Sequence, residues 1–171
     1  LREAVPIIDT AIYKLVRLTG GFSVKSKNGS NQNDLDDFVN SINVNGTGVG
    51  LQHFIDIYFE QLLTYGTSLG EIVTDGNSIH SLYNVPTRNI CLKRNPNVFN
   101  EILVCSPDNN GMPIRFQELA VFSALNPDAG SITGNSILKG LPFVSSILLK
   151  IYNSIGQNWD RAGNIRYAVT Y

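Results

Sequence analysis

Runs of basic residues are absent from this 171-residue chain. Its 13 Lys and Arg are scattered among 14 Asp and Glu, for a net charge of −1. That balance excludes tight nucleic-acid binding through many phosphate contacts by this segment alone. Long apolar runs are absent too: nothing approaches the ~18 uninterrupted apolar residues of a membrane span. Charge of either sign is sparse, 16% of residues against the usual quarter or so of a soluble domain. The missing charge implies surface that a partner covers. Cysteine is limited to Cys91 and Cys105, both on expected strands. With no secretory signal ahead of them they read as reduced structural thiols rather than a disulfide framework. His53 and His80 are not spaced to complete a zinc site with them. The chain opens on Leu1-Arg2-Glu3 without an initiating Met and stops on the strand-like Val169-Thr170-Tyr171. It is therefore expected to be a piece of a longer intracellular protein. The sequons at Asn28 and Asn45 read as chance matches in Asn-rich loops.

What is present is strong helical and strand patterning. The C-terminal stretch from Leu141 carries Phe143, Val144, Ile147, Leu148, Ile151, Tyr152 and Ile155 at three-and-four spacing, a long helix with one buried face. Pro142 suits its first turn. Gly156 is expected to end it, placing Asn158, Trp159, Asp160 and Arg161 at a turn before a strand over Ile165–Tyr171 with Tyr167, Val169 and Tyr171 on one face. Upstream, Glu3–Leu18 reads as a helix with Val5, Ile8, Ile12, Leu15 and Val16 as its stripe. Phe22–Lys25 alternates like a short strand, and Lys27–Asn33 is a polar loop. Asn33 or Asp34 caps a short helix carrying Leu35, Phe38, Val39 and Ile42. Asn45–Gly50 reads as a flexible connection.

Leu51–Tyr65 is the third helix, with Phe54, Tyr58, Phe59 and Tyr65 as core aromatics, and Gly66 closes it. Ser68–Thr74 and Ile79–Val85 form a hairpin about Asp75-Gly76-Asn77. Strands follow at Asn89–Arg94 and Phe99–Cys105, then an extended segment at Phe116–Phe122 and a Gly-rich stretch to Gly140. The fold class is α+β in a single domain, with helices on one face of a mostly antiparallel sheet and a long C-terminal helix leading to a strand.

Three patterns imitate chemistry. Asp34, Asp36 and Asp37 lack the Gly and late Glu of a calcium loop, and acids in a first helical turn answer the helix dipole. The glycines of Gly46-Thr47-Gly48-Val49-Gly50 follow no strand, which argues against a phosphate cradle. Gly66-Thr67-Ser68-Leu69-Gly70 matches G-x-S-x-G, but a nucleophile elbow needs a strand before it and a helix after it. Here the order is inverted. The downstream candidates Asp75 and His80 sit too close in sequence for a triad. We expect no enzyme activity, no cofactor and no metal.

Taken together, the stretches REAVPIIDTAIYKLVRLTG, FIDIYFEQLLTYGTSLGEIVTDGN, SLYNVPTRNI, IRFQELAVFSALNPDAGSITGNSILKGLPF and WDRAGNIRYAVTY resemble, in order and spacing, the wing region of tailed-bacteriophage (and prophage) portal proteins. The resemblance runs nearly end to end and rests on the composite rather than on one motif. It implies a ring homo-oligomer, usually of twelve subunits, at the capsid vertex, forming the head–tail channel for double-stranded DNA packaging and ejection. Implied partners are terminase, capsid and scaffold proteins, head–tail adaptors and the DNA, with no membrane. The implied location is the virion, and host cytoplasm during assembly. Stem, clip and crown would lie beyond this segment.

Near-neutral charge suits a channel that must let DNA slide. Low charge with many surface Asn and Ser suits a subunit packed between neighbours. Asn158, Trp159, Asp160 and Arg161 are candidate subunit-interface residues, with Trp159 packing on the next subunit or capping the local core. The alternative is a small-molecule or peptide-binding α+β domain, marked by a deep apolar pocket with convergent polar groups.

Overall fold

A computed structural model describes residues 2, 5–27, 29, 31–98, 101–108 and 110–162, and the chain divides into two compact units, 1–137 and 138–171. The first unit opens with α1 (Pro6–Thr19) and α2 (Gln32–Ser41), then a small hairpin, β1 (Asn43–Val44) and β2 (Gly48–Val49). After α3 (Leu51–Tyr65) come β3 (Thr67–Asp75), β4 (Ser78–Asn84), β5 (Cys91–Arg94), β6 (Ile102–Ser106), β7 (Met112–Pro113) and β8 (Ala120–Ala124). The second unit holds α4 (Leu141–Ala162). The architecture is α+β. One sheet has the order β2-β1-β4-β3-β8 and the other β5-β6-β7. Every pairing is antiparallel except the short parallel contact of β1 with β4.

The core forms where α3 lies on the larger sheet. Phe54 and Tyr58, one helical turn apart and buried, meet Ile42, Val44 and Leu82, with Phe38, Leu51, Ile55 and Ile72 around them. Further helices pack on α3: α2 beside the sheet, and α1 through its buried Ile12 and Val16. A side-chain tie reinforces that second contact. The Arg2 guanidinium pairs with Asp9, donates to Glu60 at 2.7 Å and Thr64 at 3.1 Å, and stacks on the Tyr13 ring.

Several expectations are corrected. Phe22–Lys25 is no strand; a side chain takes the place of a neighbouring strand. The Gln32 amide accepts from Ser26 N at 2.8 Å and donates to Val24 O at 3.0 Å. That reach also explains why α2 starts at Gln32, with Asn31 before it, rather than behind an Asn33 or Asp34 cap. Gln117 does the same elsewhere: its amide closes on both Val104 N and Val104 O at 2.8 Å. The turn containing Gln117 delays β8 to Ala120, so the extended segment begins later than Phe116.

Asn45–Gly50 is not a loose connection. Asn45 and Gly46 both take positive φ, 54° and 72°, closing the β1–β2 hairpin with the left-handed geometry that such turns favour. The Asn45 amide then locks onto Asn84, accepting from its N–H at 2.7 Å and donating to its side-chain oxygen at 3.0 Å. Tyr65 is 56% exposed rather than core. Finally, α4 passes through Gly156 without a break. The strand expected over Ile165–Tyr171 lies outside the described residues, as does the Phe99 start of the strand that became β6.

Candidate assembly surface

Helix α4 is 22 residues long, roughly 33 Å at 1.5 Å per residue. Pro142 stands in its first turn as expected. Val144, Ile147, Leu148, Ile151, Tyr152, Ile155 and Trp159 fall within a sector about 140° wide at 100° per residue. The sequence pattern implies that this stripe is buried. Instead it is open: Ile147 is 43% exposed, Ile151 48%, Ile155 56% and Trp159 79%. The described part of unit 138–171 contains no other helix or strand, and one helix cannot cover its own stripe. A contiguous exposed apolar band is the kind of surface that proteins use for a partner.

The four interface candidates stand in the last turns of α4, not at a bend. All four are exposed. Helical geometry separates them: Asn158 and Trp159 continue the apolar sector, whereas Asp160 and Arg161 fall on the polar side. Trp159, 79% exposed, therefore caps no core among the described residues of its unit. The sequence reading missed that the stripe itself is the surface. The signal was available in the heptad-like continuation from Ile155 to Trp159 across Gly156, an exposed glycine with open space around it.

Ser68 and its motif have structural duties. Gly66 takes φ 78° to end α3, a left-handed position suited to glycine. At Gly70 any Cβ would overlap the Phe54 ring. Ser68 is fully buried, donating to Gln61 Oε1 at 3.3 Å, and its carbonyl accepts from the Tyr58 hydroxyl. Asp75 lies at the opposite end of β3, about 20 Å away at ~3.3 Å per residue. His80 is the extra residue at the β4 bulge, exposed and near the same far end. The structure does not bring these three together. His53 is exposed with its ring over Gly48. In α2, Asp34 occupies the first turn and Asp36 accepts from the Gln32 amide at 2.8 Å.

A cleft of about 320 Å³ opens between the two sheets, floored by Leu69, Val104, Ile114 and Leu119 and edged by Glu71 and Arg115. Its wall includes Cys105, whose thiol is pushed up in pKa by burial first and by the adjacent Cys91 second.

Comparison with solved structures gives the fold a setting. Over 97% of its length the chain aligns, at a TM-score of 0.59 and 13% identity, with a chain in the neck of an empty GTA (gene transfer agent) particle computed with C6 symmetry. It spans 44% of that chain. At such identity the likeness defines the fold. No protein-family model matches the sequence, and no curated protein matches it.

Proposed function

We propose that this chain is the wing-region part of a ring-forming structural subunit in a phage-like particle, of the portal type. The carrying observation is the fold match of 97% of this chain to part of a chain in a gene transfer agent neck; the finer portal reading is supported by the sequence resemblance to portal wings. The open stripe of α4 supplies the physical need for a neighbour: apolar area exposed on the isolated chain becomes covered when copies close into a ring by head-to-tail contacts. In this reading the ring forms the vertex channel for double-stranded DNA packaging and ejection. Terminase, capsid, scaffold and head–tail adaptor proteins dock on it, and it resides in the virion after assembly in the host cytoplasm. The chain itself contributes no catalysis; Ser68 is occupied in the core, and its hydroxyl faces Gln61 rather than a base.

The cleft between the sheets favours a second reading, a small-molecule or peptide-binding domain. Its volume is at the lower end of the range for ligand pockets, ~300 Å³ upward. Light scattering on the whole gene product that carries this chain separates the two. The portal reading expects a particle mass of about a dozen subunits, and a monomer would move the binding reading to the front.

A further inference from the structure

Cys91 and Cys105 are direct cross-strand partners in the antiparallel register of β5 and β6. Opposed residues in such a pair hold their Cα atoms about 4.5 to 5.5 Å apart with side chains on one face of the sheet. A disulfide accepts Cα separations of about 4.4 to 6.8 Å, so the register places these residues within bridging reach. Both thiols are free, Cys105 buried and Cys91 half-buried. We infer that Cys91 and Cys105 are an oxidation site that closes into an intrachain disulfide when the protein meets a small-molecule disulfide such as oxidised glutathione.

The two sulfurs have different tasks. Cys91, the one with solvent access, attacks a sulfur of the oxidant, forming a mixed disulfide and releasing the first glutathione thiolate. Cys105 then loses its proton to solvent, attacks the Cys91 sulfur, and displaces the second glutathione. Two electrons pass from the cysteine pair to the oxidant, and two thiols of glutathione are the products. Cys105 is too buried to begin the exchange, and burial first and Cys91 second push its pKa up, which disfavours it as the first nucleophile. The closed bond would tie β5 to β6 in the small sheet, beside the cleft that Cys105 lines. A particle component passes from reducing cytoplasm to an oxidising exterior, where disulfides persist. That setting rests on the function proposed above; the disulfide chemistry does not.

The test is mass spectrometry of the folded chain after incubation with oxidised glutathione. The wild type is expected to lose two hydrogens, retain no glutathione, and stay monomeric on non-reducing gels. Its tryptic digest should link the peptide Asn89–Lys93 to the peptide Asn95–Arg115. Cys105→Ala should hold one stable glutathione on Cys91, and Cys91→Ala should remain unmodified. A wild-type chain that keeps both thiols, retains glutathione, or forms intermolecular dimers overturns the proposal. Because the wild type alone decides the outcome, misfolding of a variant cannot obscure it, and ring assembly plays no part in the readout.

Discussion

Helices α3 and α4 carry the same kind of message and meet different fates. Each repeats apolar residues at three-and-four spacing, and each includes aromatics. For α3 the stripe is answered within its own unit: Phe54 and Tyr58 are buried against Val44 and Leu82 of the sheet. For α4 the stripe has no partner among the described residues of its unit, and Val144, Ile147, Leu148, Ile151, Tyr152, Ile155 and Trp159 remain open. Amphipathic spacing specifies that a face will be covered, but it does not say by what. For α3 the partner is local, and for α4 it is, on our reading, another copy.

Breaking the covered face should have the largest effect on folding. Phe54→Ala removes a buried ring that fills the space above Gly70, and should cost about 3 to 5 kcal/mol, measured by urea denaturation.

Tyr58→Phe is gentler. It deletes a hydroxyl lying 3.2 Å from Val121 O and 3.4 Å from Ser68 O, a loss of about 1 kcal/mol at neutral pH. Burial raises the Tyr58 phenol above its ordinary value of 10.0, with an opposing hydrogen bond to Ser123. A raised folded pKa gives stability that is complete below the unfolded value and lost as pH climbs through the folded one. Above pH 10, therefore, wild-type stability should fall more steeply than that of Tyr58→Phe, and denaturation at stepped alkaline pH checks it.

On α4 the expected effects on folding are small and of opposite sign. Gly156 has open space where a Cβ would stand, and it sits inside a continuous helix. Gly156→Ala should therefore stabilise α4 by up to about 1 kcal/mol and raise helical circular dichroism slightly. A loss of helicity would restore the break expected from the sequence.

The limits of sequence reading follow the same division. Helix α3 was legible to its ends because Gly50 and Gly66 bracket a dense apolar pattern. The β3–β4 hairpin was legible because Asp75-Gly76-Asn77 announces its turn. Two-residue strands such as β1 and β2 carry no periodicity, so their pairing with β4 was not. Phe22–Lys25 looked like a strand because alternation reports an extended backbone, and nothing local reveals that Gln32 rather than a strand will satisfy it. Gly156 misled because glycine's cost in a helix is only about 1 kcal/mol, which a long helix absorbs. Of the four candidate interface residues, helical spacing puts Asn158 and Trp159 along the exposed stripe and Asp160 and Arg161 beside it, a division that the expected turn had hidden.

The most direct test of the central claim is negative-stain microscopy of the gene product that carries this chain, wild type beside Ile151→Asp. Ile151 is exposed in the middle of the stripe, so the substitution should change folding stability by no more than about 0.5 kcal/mol. The account predicts rings with a central hole for the wild type and dispersed single subunits for the variant, with matching circular dichroism. Single subunits from the wild type, or rings from both, would contradict it.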